Sequence, residues 1–335
     1  MQMPVQCLEC SHQTARRVQR DRVLACRGAF CDGLAGEYVC LATCGRLELY
    51  VAGEARPSEA WWEWLATRSG VPLSIVYQSW RLRSGQDAAR HLLRVASGLA
   101  SPILGEDQIL GQVRTAFLGA QENGRVGPVL SALFRAAIHT GRRVRNETSL
   151  GAQVRTYAQR AVDVLLATPT VLGRVVVMGT GTVASELVDR MAELGVSPLA
   201  IVSRHRRRAV EMAARAGSRA VELDGLRAAI ESADALVACT AASAPIIRTS
   251  VLANRTRPLH VIDLGAPRNV TPEAGALSHI KLVTLEDLLG GPAAVPEIVA
   301  VAEEVVDQEL QRLGAWLRAR HVRGSSAHDW TGAVA

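Results

Sequence analysis

The chain has 335 residues, of which 48% are hydrophobic and 21% are charged, and its formal net charge is +6. This length suits two or three globular domains, and it excludes a small disulfide-stapled or intrinsically disordered protein. No apolar run is long enough to span a bilayer and no secretion signal precedes the first domain, so we expect a cytoplasmic protein that makes no membrane contact.

Cysteines are concentrated at the start of the chain, where six of the seven lie within the first 44 residues. Cys7 and Cys10 have the spacing of a zinc half-site, but no second pair completes it. We therefore expect reduced thiols and no bound metal.

The first region alternates short strands with helices. Two strands are predicted over 37–42 and 47–52, so that Cys44 falls in the connection between them. Helices are predicted to begin at 57 and to cover 86–99, 109–124 and two further segments before 168.

From residue 173 strands and helices alternate regularly, which is typical of a doubly wound parallel sheet. A long helix then begins near Pro296, with acidic residues in its early turns and arginines at its end, as the helix dipole favours. Its predicted apolar stripe contains Ile298, Val301, Val305, Leu313 and Leu317. The predicted domains are 1–155 (catalytic, α+β), 165–292 (Rossmann-type, nucleotide-binding), 295–322 (long helix) and 323–335 (flexible tail).

The stretch VVVMGTGTVASEL matches the dinucleotide fingerprint G-x-G-x-x-A between a strand and a helix. Gly179 permits the tight turn, Gly181 lets a pyrophosphate approach the backbone, and Ala184 allows close helix packing. The predicted loop contacts are Gly179, Thr180, Gly181, Thr182, Val183 and Ala184.

The end of the second strand of this region distinguishes the two nicotinamide dinucleotides. It carries Ser203, Arg204 and Arg208 and no carboxylate. NAD-binding proteins place an acid there for the ribose hydroxyls, whereas guanidinium groups bind a 2′-phosphate. The predicted cofactor is NADPH.

A nucleotide domain joined to a domain with a cysteine at a strand end suggests reduction of an acyl group held as a thioester, with Arg46 favouring the Cys44 thiolate. From ATCGR alone, a buried core cysteine is the better interpretation.

Several motifs resemble the glutamyl-tRNA reductase family. ATCGRLELY resembles its STCNRTExY segment, and HLLRVASGLASPILGEDQILGQVRTAF is similar to HLFxVASGLDSxVxGExQILGQVKxAY. SHQTA, GTGTVA, VIDLGAPRNVTPE and the long helix match in order, over about residues 5–320. The resemblance implies an N-terminal catalytic domain, an NADPH domain and a spinal helix, and reduction of glutamyl-tRNA to glutamate-1-semialdehyde for tetrapyrrole synthesis.

Site residues are carried over by position. The resemblance implies that Cys44 is the acylated nucleophile and that His91 donates or accepts a proton near the reacting carbonyl. Arg46 would pair with a substrate carboxylate. The implied substrate-binding residues are Thr43, Gly45, Arg46, Ser101, Glu106, Asp107, Gln108 and Gln112.

The chain departs from the family pattern at Gly45, Leu47 and Asp107, which replace Asn, Thr and Pro, and it ends soon after the spinal helix. Gly45 and Leu47 predict a less polar acyl pocket. The family's dimerisation domain is expected to be missing, which leaves the spinal helix as the surface for a homodimer. Two alternatives follow: a paralogue reducing another aminoacyl-tRNA or a carrier-bound acyl thioester, and a non-catalytic regulator that binds tRNA or a reductase.

Overall fold

The computed structural model describes residues 3–26, 36–43, 45–53, 58–106, 108–150, 156–167, 174–289 and 296–322. The chain divides into two compact units. The first consists of Met1–Val154 and Pro292–Ala335, and the second is Arg155–Gly291. The predicted tail 323–335 lies outside the described residues.

The first unit is built on a four-stranded antiparallel sheet. Its strands are β1 Val5–Ser11, β2 Glu37–Ala42, β3 Arg46–Ala52 and β4 Arg81–Ser84. The strand order is β2-β3-β1-β4. Both strands predicted around Cys44 are confirmed, although β3 begins one residue earlier, at Arg46.

The register of the sheet separates the side chains of β3 into two sets. Glu48 lies opposite Glu9 of β1, and Leu47 lies opposite Cys10. Because successive side chains of a strand point to opposite faces, Arg46, Glu48 and Tyr50 share one face and Leu47 lies on the other.

Helices cover the face that carries Tyr50. The helices of this unit are α1 Arg17–Ala25, α2 Ser58–Ser69, α3 Leu73–Ser79, α4 Gln86–Ala96, α5 Gln108–Glu122, α6 Pro128–Glu147 and α12 Pro296–Val322. Buried side chains of α4, α5, α6 and α12 form one core with Val39, Leu41 and Tyr50 of the sheet. Helix α4 ends at Ala96, before the predicted residue 99, and Gly98 has a positive φ of 77°.

The long helix α12 packs within the first unit, but its apolar face differs from the predicted stripe. Ala302, Val305, Val306, Leu310 and Leu313 are buried. Val301 is 46% exposed, so its inclusion in the stripe is wrong. The buried positions follow the 3.6-residue period from 302, and residue 301 falls outside the face that this period defines.

The second unit is a parallel six-stranded sheet with helices between its strands. Its elements are α7 Tyr157–Leu166, β5 Val175–Met178, α8 Thr182–Glu193, β6 Ala200–Val202, α9 Arg206–Arg215, β7 Arg219–Val221, α10 Leu226–Glu231, β8 Ala235–Ala238, α11 Thr249–Leu252, β9 Leu259–Asp263 and β10 Ile280–Thr284. The strand order is β10-β9-β8-β5-β6-β7, the doubly wound order of dinucleotide-binding domains. The predicted α/β fold is confirmed.

Across the described ranges, no helix combines the length and the apolar character needed to cross a bilayer.

Candidate active site and nucleotide-binding site

The connection between β2 and β3 is a tight turn. The backbone N–H of Thr43 donates to the carbonyl of Arg46 at 2.9 Å, and the N–H of Gly45 donates to Thr43 Oγ1 at 3.2 Å. Cys44, the predicted nucleophile, lies outside the described residues, and so does Asp107. The flanking residues place the turn between edge strand β2 and its neighbour β3.

Directly after this turn, a buried polar network begins on β3. Arg46 is 2% exposed, and its Nη1 donates to Glu48 Oε1 at 2.8 Å. The ring Nε2 of His91, on α4, lies 2.9 Å from the same oxygen, and the Tyr50 hydroxyl donates to Glu48 Oε2 at 2.7 Å. Glu48 is therefore the centre of the network, with three partners on its two oxygens.

These contacts keep the Glu48 carboxyl ionised inside the protein. Burial by itself would raise its pKa, but attraction to His91 and Arg46 and hydrogen bonds from His91 and Tyr50 lower the pKa to about 2. The pKa of Tyr50 is raised well above its ordinary value, mainly by burial and then by the neighbouring Cys7 and Glu48. Glu48 thus holds His91 and Arg46 in place as a permanent anion.

Arg46 also binds the loop that follows α4. Its Nη2 donates to the backbone carbonyl of Ala100. Arg145, on α6, donates to the carbonyls of Ala96 and Glu106 at 3.0 and 2.9 Å. Arg145 therefore binds both ends of residues 96–106, and Arg46 binds the middle of the segment at Ala100.

The remaining predicted substrate residues lie in or next to this loop. Ser101 and Glu106 are buried, while Gln108 begins α5 and Gln112 is half-buried one turn later. The structure thus brings His91, Arg46, Ser101 and Glu106 into one region of the first unit. Their roles toward a substrate stay predictions.

The two substitutions in the family segment differ in their surroundings. Leu47 is 1% exposed and lies on the face of β3 opposite to Arg46 and Glu48. The expectation that Leu47 makes the acyl pocket less polar is therefore wrong, because its side chain packs in the core behind the sheet. At Gly45, an added Cβ would meet only Pro102 Cγ, at 3.9 Å, so the space for a side chain is open there.

Sequence reasoning missed Glu48, Tyr50 and Arg145 as site residues. A signal was present in β3, where polar residues recur at every second position of a largely buried strand. Polar side chains on one face of such a strand must find partners in the interior. The partner helices were not deducible from that pattern.

His12 belongs to the SHQTA motif but was not among the predicted site residues. It follows β1, and its pKa is lowered to about 4 by burial, then by Arg46 and Arg20.

Metal ligation is not favoured by the cysteines of β1. Cys7 and Cys10 are three residues apart in a strand, so their thiols point to opposite faces of the sheet and cannot bind one ion. Ligand atoms of Cys7, Glu48 and His91 do lie within 4.8 Å of one another. However, Glu48 Oε1 already contacts Arg46 and His91. The Arg46 guanidinium, 2.8 Å from that oxygen, would repel a metal cation.

The loop after β5 has the geometry that the dinucleotide fingerprint predicts. Gly179 has a φ of 131°, and an added Cβ would lie 2.5 Å from the carbonyl oxygen of Cys239, so only glycine fits. Gly181 is exposed, and a Cβ there would meet no atom within 4 Å. Ala184 is fully buried where α8 packs on the sheet.

Helix α8 begins directly after this loop with free amide groups. No acidic residue lies in its first turn and no side chain caps it. Thr182 is exposed and Val183 is half-buried at this helix start, and Thr180 Oγ1 lies 3.2 Å from Ser203 Oγ. Uncapped N–H groups at a helix N-terminus bind phosphate, so these residues fit a dinucleotide pyrophosphate.

The arginines after β6 divide into two pairs. Arg206 and Arg207 lie 3.5 and 2.9 Å from Glu222 and Glu211. Arg204 and Arg208 are exposed, and within the described ranges neither has a hydrogen bond or an ion pair. Both predicted phosphate ligands are thus available to an anion.

Together, these features define a two-unit α/β protein whose second unit is a nucleotide-binding domain of the doubly wound type. Residues 167–290 match the family model described as shikimate/quinate 5-dehydrogenase, and residues 2–148 match the model described as the glutamyl-tRNAGlu reductase N-terminal domain.

Comparisons that cover most of the chain agree with the two family models. The chain is 31% identical to the glutamyl-tRNA reductase of Pseudomonas putida, over 92% of this chain and 79% of that protein. For the Thermus thermophilus enzyme the identity is 32%, over 96% and 83%. The solved glutamyl-tRNA reductase of Methanopyrus kandleri superposes with a TM-score of 0.51 at 26% identity, over 96% of this chain and 82% of that one. This chain belongs to the glutamyl-tRNA reductase family.

Proposed function

We propose that this protein reduces glutamyl-tRNA to glutamate-1-semialdehyde with NADPH, through a thioester on Cys44. Family membership and similarity to named glutamyl-tRNA reductases, over 79% and 83% of their length, support the substrate. The observation that carries the proposal is the buried network of Arg46, Glu48 and His91, which begins two residues after Cys44.

The first step transfers the acyl group. The Cys44 thiolate attacks the ester carbonyl carbon, a C–S bond forms, and the C–O bond to the terminal ribose of the tRNA breaks. The ribose oxygen takes up a proton. The thiolate, and not the thiol, is the nucleophile in this step, and the proton that the thiol gives up balances the one that the ribose oxygen takes.

The second step reduces the thioester. NADPH, held by Gly179, Gly181 and Arg204, would supply a hydride for the carbonyl carbon. The C–S bond of the thioester breaks, and its electron pair returns to the Cys44 sulfur. His91 moves the proton at the carbonyl oxygen, and Glu48 holds its ring by the 2.9 Å contact at Nε2. Arg46 acts mainly as a positioning residue, since two of its donors already bind Glu48 and Ala100.

NADPH is supported by the fit of the second unit. Gly179, Gly181 and the uncapped start of α8 suit the pyrophosphate. Arg204, with Ser203 beside it, suits the 2′-phosphate.

Replacing Arg204 by Ala should weaken the binding of NADPH about tenfold or more, while the affinity for NADH changes little; cofactor fluorescence measures both. Equal losses for both would contradict the 2′-phosphate assignment.

The thioester has a direct test. Incubating the protein with glutamyl-tRNA in the absence of NADPH should leave one glutamyl adduct, and peptide mass spectrometry should locate it on Cys44. The matched control is Cys44→Ser, which should carry no thioester and release no aldehyde. Aldehyde production by Cys44→Ser at the wild-type rate would refute covalent catalysis.

A different aminoacyl group is the second candidate, and the open space at Gly45 favours it. Individually charged tRNAs with NADPH decide between the two. Product from glutamyl-tRNA is expected, and product only from another aminoacyl-tRNA would establish the alternative.

A homodimer through α12 stays a prediction. Light scattering of the purified chain would measure its mass and so test this prediction.

A further inference from the structure

The second unit contains a half-buried arginine that was not among the predicted cofactor contacts. Arg268 belongs to the loop after β9. Asp263, at the end of that strand, is 1% exposed, and its carboxylate accepts the N–H groups of Gly265 at 2.9 Å, Asn269 at 3.1 Å and Val270 at 3.0 Å. The buried anion therefore fixes the backbone on both sides of Arg268.

The loop is also tied to the neighbouring strand. Asn269 is fully buried, its Oδ1 accepts the N–H of Thr240 at 2.8 Å, and its Nδ2 donates to the Thr240 carbonyl at 3.2 Å. Thr240 follows Cys239, whose carbonyl contacts Gly179. The loops after β5, β8 and β9 thus form one continuous rigid edge, and Arg268 is held on it.

Arg268 has no counter-ion there. Throughout the part of the chain that the structure describes, no hydrogen bond or ion pair involves its side chain. By contrast, two arginines close to the same sheet are engaged: Arg255 donates to backbone carbonyls, and Arg257 donates to Asp234 at 2.9 Å. A guanidinium that is partly removed from water without a partner is unfavourable, so an anion beside Arg268 would be stabilised.

The position of β9 indicates which anion. In a doubly wound sheet the dinucleotide lies across the point where the strand order reverses, here between β5 and β8. Ser203 and Arg204 follow β6, on the side of β5 where the adenosine half of the dinucleotide binds. Strand β9 lies on the other side, two strands from β5, which is about 10 Å at the usual strand spacing.

We propose that Arg268 binds the phosphate of the nicotinamide mononucleotide half of NADPH, an inference that rests on the proposed function. Arg204 would then bind the 2′-phosphate at the adenosine end, and Arg268 would bind the nicotinamide-side phosphate of the central pyrophosphate. The difference between them is chemical, because the nicotinamide phosphate is common to NADPH and NADH and the 2′-phosphate is not.

The test measures equilibrium binding of three probes to the full chain: NADPH and NADH by fluorescence, and 2′,5′-ADP by calorimetry. Arg268→Gln should weaken NADPH and NADH by the same factor, about tenfold, because a charge-assisted phosphate contact is lost. Binding of 2′,5′-ADP should be unchanged, since this probe lacks the nicotinamide half. Arg268→Lys, which keeps the charge, should restore part of the loss.

The matched control is Arg204→Ala, which should weaken NADPH and 2′,5′-ADP and leave NADH nearly unchanged. Unchanged NADPH and NADH affinity in Arg268→Gln would overturn the inference. An equal loss of 2′,5′-ADP would also overturn it, because that result indicates a disturbed loop. Wild-type protein that binds neither NADPH nor 2′,5′-ADP would refute the proposed function along with it.

Discussion

Replacing Glu48 by Gln should destabilise the first unit by roughly 3 kcal/mol. The folded-state pKa of this carboxyl is about 2, against its ordinary value of 4.5. At 1.36 kcal/mol for each pKa step, the difference is worth roughly 3 kcal/mol. Removal of one partner from a buried ion pair costs a similar amount, about 3–5 kcal/mol, because Arg46 and His91 lose their anion.

The pH dependence of this loss has a definite sign. The pKa of Glu48 is lowered by folding, so its contribution is fully present above pH 4.5 and disappears as the pH falls through about 2. The pH-dependent part of the difference between wild type and Glu48→Gln should therefore shrink to under half of its neutral value by pH 3.

Urea unfolding followed by tryptophan fluorescence measures this loss in the correct unit, because the five tryptophans among the described residues all belong to the first unit. The matched control is Glu63→Gln on the exposed face of α2, which should change the free energy of unfolding by less than about 0.5 kcal/mol. A Glu48→Gln loss below about 1 kcal/mol, or a loss that does not change between pH 7 and pH 3, would show that the network does not hold an ionised carboxylate.

The remaining predictions concern two glycines of the nucleotide loop and two residues near Cys44. Gly179→Ala should abolish NADPH binding and lower the melting temperature, because its Cβ would lie 2.5 Å from the Cys239 carbonyl oxygen; Gly181→Ala, whose Cβ meets no atom within 4 Å, should keep the melting temperature and lose affinity only. Equal melting temperatures for both variants would contradict the loop geometry. Leu47→Thr should cost about 2 kcal/mol in urea unfolding without changing which aminoacyl-tRNA is used, since Leu47 is buried on the other face of β3; a changed acyl preference would show that this face reaches the substrate. Gly45→Asn should leave the free energy of unfolding within about 0.5 kcal/mol of wild type, because its Cβ would meet only Pro102 Cγ at 3.9 Å, and a larger loss would mean that the space is filled.

Local patterns predicted most of the secondary structure. The two strands around Cys44, the long helix from Pro296 and the alternating strands and helices after 173 are confirmed, because periodicity and turn residues act over short distances. The fingerprint at Gly179 likewise has a short-range cause, namely a strand, a positive φ and a helix start within a few residues.

Contacts between residues that are far apart in the chain could not be predicted from the sequence. His91 meets Glu48 at 2.9 Å although 43 residues separate them, and Arg145 reaches the Glu106 carbonyl over 39 residues. The same holds for Leu47. The motif led us to expect it in the acyl pocket, and the register of β3 places it on the face opposite to Glu48.

The sequence by itself determined the types and order of the elements and the position of the nucleotide loop, since each depends on neighbours along the chain. Only the tertiary structure decided that Arg46 is already bound to Glu48 and Ala100, that α12 packs in the first unit, and that Arg268 stands without a partner among the described residues. Burial and charge pairing depend on which surfaces meet, and that is fixed by packing between distant segments.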